Sequence, residues 1–106
     1  MPASISLRRA LVTGGSGELG GAIAHALAGD GYHVIVHANH SLHRAEAVVG
    51  EIITGGGSAQ ATAFDVGDAE VTRAALDVLL GEGRIDGVVN NAGIHDDAPM
   101  AGMSSE

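Results

Sequence analysis

Short apolar runs alternate with longer amphipathic stretches along this chain, the pattern of parallel β–α units. RALVTG (residues 9–14) is expected to form a first strand buried on both faces. From Glu18 to Ala28, Leu19, Ile23, Ala26 and Leu27 recur at helical spacing, and GDG at 29–31 supplies a stop. HVIVHA (33–38) predicts the second strand. Ser41 is placed to cap a helix whose inward face is Leu42, Ala45, Val48, Val49, Ile52 and Ile53, ended by GGG at 55–57. AQATAFDV (59–66) predicts a third strand, poor in large side chains. Asp68 then caps a third helix with Val71, Ala74, Ala75, Val78 and Leu79 inward, and IDGVVNNAG (85–93) gives a short fourth strand. The order β-α-β-α-β-α-β implies an α/β fold, a doubly wound parallel sheet truncated after its fourth strand. After Gly93 the sequence becomes loop-like, and His95, Asp96 and Asp97 are expected in a solvated loop.

Composition narrows the class. A chain of 106 residues is at most one domain, and 45% hydrophobic with 17% charged residues is a globular balance. Tyr32 and Phe64 are the whole aromatic complement, so Ala, Val, Leu and Ile must build the core. The formal net charge of −8 argues against nucleic acid or an anionic membrane surface as partner. No apolar run approaches the roughly 20 residues of a membrane span, and the absence of cysteine fits a cytoplasmic protein.

Gly15, Gly17 and Gly20 match G-x-G-x-x-G, a weak signal alone in a chain with 17 glycines. Its position strengthens it: the run follows a predicted strand, opens a helix and begins a βαβ unit, as in Rossmann-type dinucleotide-binding folds. Such a turn lets the backbone approach a pyrophosphate, whose charge the helix N-terminus stabilises. A glycine turn without a ligand is the competing explanation.

Three further spacings agree with this motif. Thr13-Gly14 is followed six residues later by Gly20, Asp65-Val66 follows the third strand, and Asn90-Asn91-Ala92-Gly93 follows the fourth. Together they resemble the short-chain dehydrogenases/reductases, and VVNNAG (88–93) resembles their classical branch. The overall texture is similar to that of the 3-oxoacyl-acyl carrier protein reductases. The resemblance implies that Thr13 braces the loop and that Gly14, Ser16 and Leu19 surround the pyrophosphate, while Gly20 packs the helix on the sheet. It implies that Asp65 bonds the adenine amino group, that Val66 lines the adenine pocket, and that Asn90, Ala92 and Gly93 sit beside the adenosine ribose. One departure stands out: Glu18 occupies the middle glycine of the classical T-G-x-x-x-G-x-G pattern, and is expected to face solvent at its own helix N-terminus. The run also fits T-G-x-x-G-x-x-G of the epimerase-like extended branch.

Cofactor preference depends on the end of the second strand, where an acidic side chain would grip the ribose hydroxyls of NAD. Here stand Ala38, Asn39, His40 and Ser41, with no acid, which favours NADP(H) over NAD(H); Asn39, His40, Ser41 and Arg44 are the groups able to approach a 2′-phosphate. His37, His40 and His43 span a strand end, a loop and a helix start, and are expected as exposed histidines rather than metal ligands.

The resembled family transfers hydride with a Tyr and a Lys one helical turn apart, a preceding Ser and an Asn on a central helix. This chain has no lysine and one tyrosine, Tyr32, at the start of the second strand, so no catalytic residue is assigned. Residues 1–106 are therefore expected to be the N-terminal, cofactor-binding part of a longer reductase, with the catalytic half absent and the 106-residue chain alone inactive and prone to aggregate. The resemblance implies a carbonyl substrate carried on acyl carrier protein and a homotetrameric parent. A non-catalytic nucleotide-binding module and an extended-branch epimerase are the alternatives.

Overall fold

Residues 7–91 are described by a computed structural model. Among them the chain runs β1 (Arg9–Thr13), α1 (Glu18–Gly29), β2 (His33–Ala38), α2 (Leu42–Thr54), β3 (Ser58–Ala63), α3 (Ala69–Glu82) and β4 (Gly87–Asn90). The sheet order is β3-β2-β1-β4, and every pairing is parallel. The chain thus winds outward from β1 through β2 to β3, then crosses back so that β4 pairs with the other side of β1. That reversal makes a topological switch point between β1 and β4, with a crevice at the carboxyl ends of the strands. The expected doubly wound α/β architecture is the one observed. Ala92, Gly93, His95, Asp96 and Asp97 lie outside the described residues.

Strand alternation divides the core in two. Val12, Val34, Val36 and Ala38 face α1 and α2, meeting Ala24, Ala45 and Ile52. Leu11 and Ile35 face the other way, meeting Leu79 of α3 with Leu76 and Ile85 beside it. Each fully buried aliphatic side chain contributes about 1.5–3 kcal/mol, and the central pair β1–β2 holds most of them. Both expected helix caps form. The Ser41 hydroxyl accepts from the Arg44 N–H at 3.4 Å, and Asp68 Oδ1 accepts from the Glu70 and Val71 N–H groups at 3.1 Å each.

Four expectations about the elements need correction. In α2, Leu42 and Ile53, expected inward, are 45% and 55% exposed, and the helix packs through Ala45 and Ile52 with Val48 and Val49 beside them. The third strand stops at Ala63, not Val66: Phe64 turns into the core while its N–H donates to the Ala38 carbonyl at 3.1 Å, and Asp65 to Gly67 form a turn. In α1 the buried stripe is Gly20, Gly21 and Ala24, with Leu19 56% exposed and Ala26 outside, because small residues let the helix lie close to the sheet. In α3 the inward residues are Leu76 and Leu79, with Ala75 half-buried, whereas Val71, Ala74 and Val78 face outward. This helix is apolar on two overlapping stripes, and the leucine stripe wins because it removes more area from water per residue. Thr72 completes that choice, its hydroxyl donating to the Asp65 carbonyl at 3.2 Å.

The packing makes a paired prediction. Ile35→Ala should destabilise the fold by about 2–5 kcal/mol, while Val78→Ala should change stability by less than about 0.5 kcal/mol. Urea denaturation measures both, and the reverse order would mean that α3 packs through Val71 and Val78.

Candidate functional site

The loop from Gly14 to Gly17 delivers the N-terminus of α1 into the crevice. Gly14 adopts φ 66°, the left-handed region in which a side chain is strained. Its carbonyl accepts from the Gly17 N–H at 3.1 Å, closing the turn, and from Asn91 Nδ2 at 3.1 Å. Its N–H donates to His37 Nδ1 at 3.0 Å. The Gly14 peptide is thus held from β2 on one side and from the end of β4 on the other. Gly20 carries the closest approach: a Cβ there would lie 2.1 Å from the Gly14 carbonyl oxygen and 2.8 Å from Asn91 Nδ2.

Gly17 caps α1 without a side-chain hydrogen bond, and the first intrahelical bond runs from Gly21 N–H to the Gly17 carbonyl at 2.7 Å. The N–H groups of Glu18, Leu19 and Gly20 therefore lack an intrahelical acceptor, leaving the positive end of the helix available to an anion. Glu18 is exposed, as expected. Beneath the loop, the Thr13 hydroxyl lies 3.3 Å from the Val89 carbonyl and 3.1 Å from Asn90 Oδ1, tying β1 to β4.

The opposite wall is built by the ends of β2 and β3. Asn39 bridges them: its Oδ1 accepts from the Val66 N–H at 2.9 Å and its Nδ2 donates to Asp65 Oδ1 at 3.2 Å. Asp65 Oδ1 also accepts from the Gly67 N–H at 2.8 Å. That backbone bond and then the Asn39 amide hold the Asp65 carboxyl below the usual carboxylate range; desolvation opposes them, and the nearby His40 adds a lesser lowering. The carboxylate's hold on this turn is complete above its ordinary value of 3.8 and is lost as pH falls through the lowered one.

Between the two walls lies a cavity of about 560 Å³, with Ser16 and Leu19 at the loop, His40, Ser41 and Arg44 at the start of α2, and Val66 opposite. A second cavity of about 600 Å³ opens at the other end of the sheet, between Arg9, His33, Ser58 and Asp86. Its charges are satisfied internally: Asp86 accepts from the Arg9 N–H at 2.9 Å, and Arg9 reaches the carbonyls of Leu79 and Gly83. Among the described residues, the glycine-loop cavity is the one that pairs an uncapped helix N-terminus with the switch point.

Of the residues expected here, Gly14, Ser16, Leu19, Gly20, Asn39 and Val66 line the cavity; Asp65 stands at its edge, and Thr13 with Asn90 lies beneath the loop. Two residues were not anticipated. Asn91 holds the Gly14 carbonyl, and His37, expected as exposed, is fully buried. Its place within an otherwise apolar strand was the available signal, because neighbours buried on both faces leave no exposed position between them. His37, His40 and His43 do not converge, and among the described residues no cluster of three could hold a metal ion. No described helix is long and apolar enough to cross a membrane. Tyr32 packs against the α1–α2 side of the core, just before β2 and away from the cavity.

A parallel sheet whose first glycine turn presents a helix N-terminus at the switch point defines a nucleotide-binding protein of the Rossmann class. The chain belongs to the short chain dehydrogenase family, whose profile matches residues 8–106. It is 40% identical over 104 residues to a 3-oxoacyl-[acyl-carrier-protein] reductase of Synechocystis sp., covering 97% of this chain and 42% of that relative. A metagenomic short-chain oxidoreductase solved in complex with NADP superposes with a TM-score of 0.76 at 39% identity, over 87% of this chain and 42% of that one. A 3-oxoacyl (acyl-carrier-protein) reductase from Agrobacterium tumefaciens C58, solved with NADP bound, gives 0.76 at 36% identity, over 92% and 37%. The chain spans about two-fifths of the length of these proteins.

The Gly14–Gly20 contact is open to test by substitution. Gly20→Ala forces a backbone shift and should cost about 1–3 kcal/mol. Gly50→Ala, in the open interior of α2 with nothing within 4 Å, should stabilise the protein by up to about 1 kcal/mol. Thermal denaturation compares the two, and equal effects would remove the close approach from the account.

Proposed function

We propose that this chain is the dinucleotide-binding part of an NADPH-dependent carbonyl reductase acting on 3-oxoacyl thioesters. The observation that carries the proposal is the glycine loop, held from both sides, with the free N–H groups of Glu18, Leu19 and Gly20 at a cavity open to two nucleotide halves. In this assignment Gly14, Ser16, Leu19 and Gly20 form the pyrophosphate cradle, with Thr13 bracing it. Asp65 and Val66 receive the adenine, Asp65 through the oxygen that makes no bond within the described chain. Asn90 is assigned to the ribose side; Ala92 and Gly93, expected there by the resemblance, lie outside the described residues. The bound dinucleotide supplies hydride; the residues of this chain bind and orient it, and the proton donor belongs to residues of the parent enzyme that this chain does not provide. A tetrameric parent and a substrate carried on acyl carrier protein accompany the same reading.

Preference for NADP(H) follows from charge. The residues that end β2 and lead into α2, 38–41, carry no carboxylate of their own to repel a 2′-phosphate, and Arg44, in the first turn of α2, lines the cavity beside Ser41 and His40. Asn39 contributes differently from a direct phosphate contact, because its amide bridges Asp65 and Val66. The relatives solved with NADP support this preference. The lack of lysine and the remote Tyr32 favour a second reading for the chain by itself, a nucleotide-binding module without hydride chemistry.

Calorimetric titration with NADPH and NADH decides the preference. NADPH should bind about tenfold more tightly, and Arg44→Ala should bring the two close to parity by removing a charge-assisted contact. Tighter NADH binding would contradict the assignment. Oxidation of NADPH with a 3-oxoacyl thioester by the protein expressed from its native gene tests the reaction, and turnover confined to other carbonyl compounds would overturn the substrate.

A further inference from the structure

His37 shares the face of β2 that carries Ile35 toward α3, its side chain fully buried between the glycine loop and the end of β3. Its two ring nitrogens have opposite duties. Nδ1 accepts from the Gly14 N–H at 3.0 Å, so it carries no proton. Nε2, 2.7 Å from the Phe64 carbonyl oxygen, must therefore carry the proton and donate. The ring also packs on the Phe64 ring, with centroids 4.3 Å apart. One imidazole thus joins the loop at one wall of the cavity to the segment that begins the other, where Asp65 and Val66 follow Phe64.

We propose that His37 is a positioning residue for the dinucleotide: its neutral imidazole sets the spacing between the phosphate loop and the adenine-side turn, and protonation of the ring releases Gly14 and weakens binding. This inference rests on the dinucleotide reading of the cavity. An imidazolium carries N–H on both nitrogens and cannot accept from Gly14, so two donors would face each other and the loop would have to move. The loop side brings no ionisable group to the ring, since Thr13 and Gly14 carry none. Asp65, beyond Phe64, is exposed and interacts with the exposed His40, and α3 keeps Glu70, Arg73 and Asp77 at the surface. Burial lowers the His37 pKa and the Phe64 carbonyl partly offsets it; among the described residues no charged side chain contributes. The loss of affinity therefore sets in below the ordinary histidine value of 6.5.

The test is the NADPH dissociation constant from pH 8 to pH 5 for the protein expressed from its native gene and for its His37→Asn variant. The asparagine carbonyl replaces Nδ1 as acceptor for Gly14 but does not titrate. His40 and the cofactor phosphates are common to both proteins, so the difference between the two profiles isolates His37. The wild type should lose about tenfold more affinity than the variant across this range. Parallel profiles would overturn the proposal. Absence of NADPH binding at pH 8 would overturn the dinucleotide reading and the positioning role with it. Nitrogen-15 spectra of the wild-type ring, independent of any variant's folding, should show the neutral Nε2–H form at pH 8; an Nδ1–H form would also overturn the proposal.

Discussion

The absence of a side chain at Gly20 allows the Gly14 carbonyl to reach the first turn of α1, and the geometry of the cleft depends on that contact. A Cβ 2.1 Å from a carbonyl oxygen cannot be accommodated by rotating a flexible group, because both partners are backbone. With the hydrogen atom in its place, the turn closes through Gly17, the Asn91 amide reaches Gly14 from β4, and α1 lies against the sheet on Gly20, Gly21 and Ala24. The same contact fixes where the uncapped N–H groups of α1 point, which connects packing to function.

The sheet topology supplies the other half of the site. Because β4 returns to pair with β1, Asn90 and Asn91 arrive beside the glycine loop, although they are more than 70 residues away in sequence. The parallel alignment of β2 and β3 brings Asn39 to Asp65 and Val66 in the same way. Hydrogen bonds at the strand ends then set each wall of the cavity, while the aliphatic core beneath keeps the strands in register. A protein that must bind an extended dinucleotide needs these two walls at a constant separation, and side chains link all four strand ends.

How much of this was legible in the sequence follows from the range of the interactions. Ser41 and Asp68 were recognisable as caps because the groups they satisfy lie within three residues. The glycine loop was recognisable because its spacing encodes a local turn. The inward face of α3 was not, since two apolar stripes share the helix and only the sheet beneath selects Leu76 and Leu79. The end of β3 was also missed: the alternation of Ala with polar residues runs to Ala63 and breaks at Phe64, and the turn at Asp65 is held by the Gly67 N–H and by Asn39, which follows β2. His37 and Asn91 required distant information: the burial of His37 depends on Gly14 and Phe64 at separations of 23 and 27 residues, and Asn91 reaches Gly14 across 77.

The central claim is that one preformed cleft at the carboxyl ends of the strands receives a dinucleotide, and backbone amide chemical shifts during an NADPH titration test it most directly. The account predicts saturable shifts at Ser16, Leu19 and Gly20 together with Asp65 and Val66, with the Arg9–Asp86 end of the sheet unchanged. Shifts confined to that far end, or to the glycine loop without Asp65 and Val66, would contradict it.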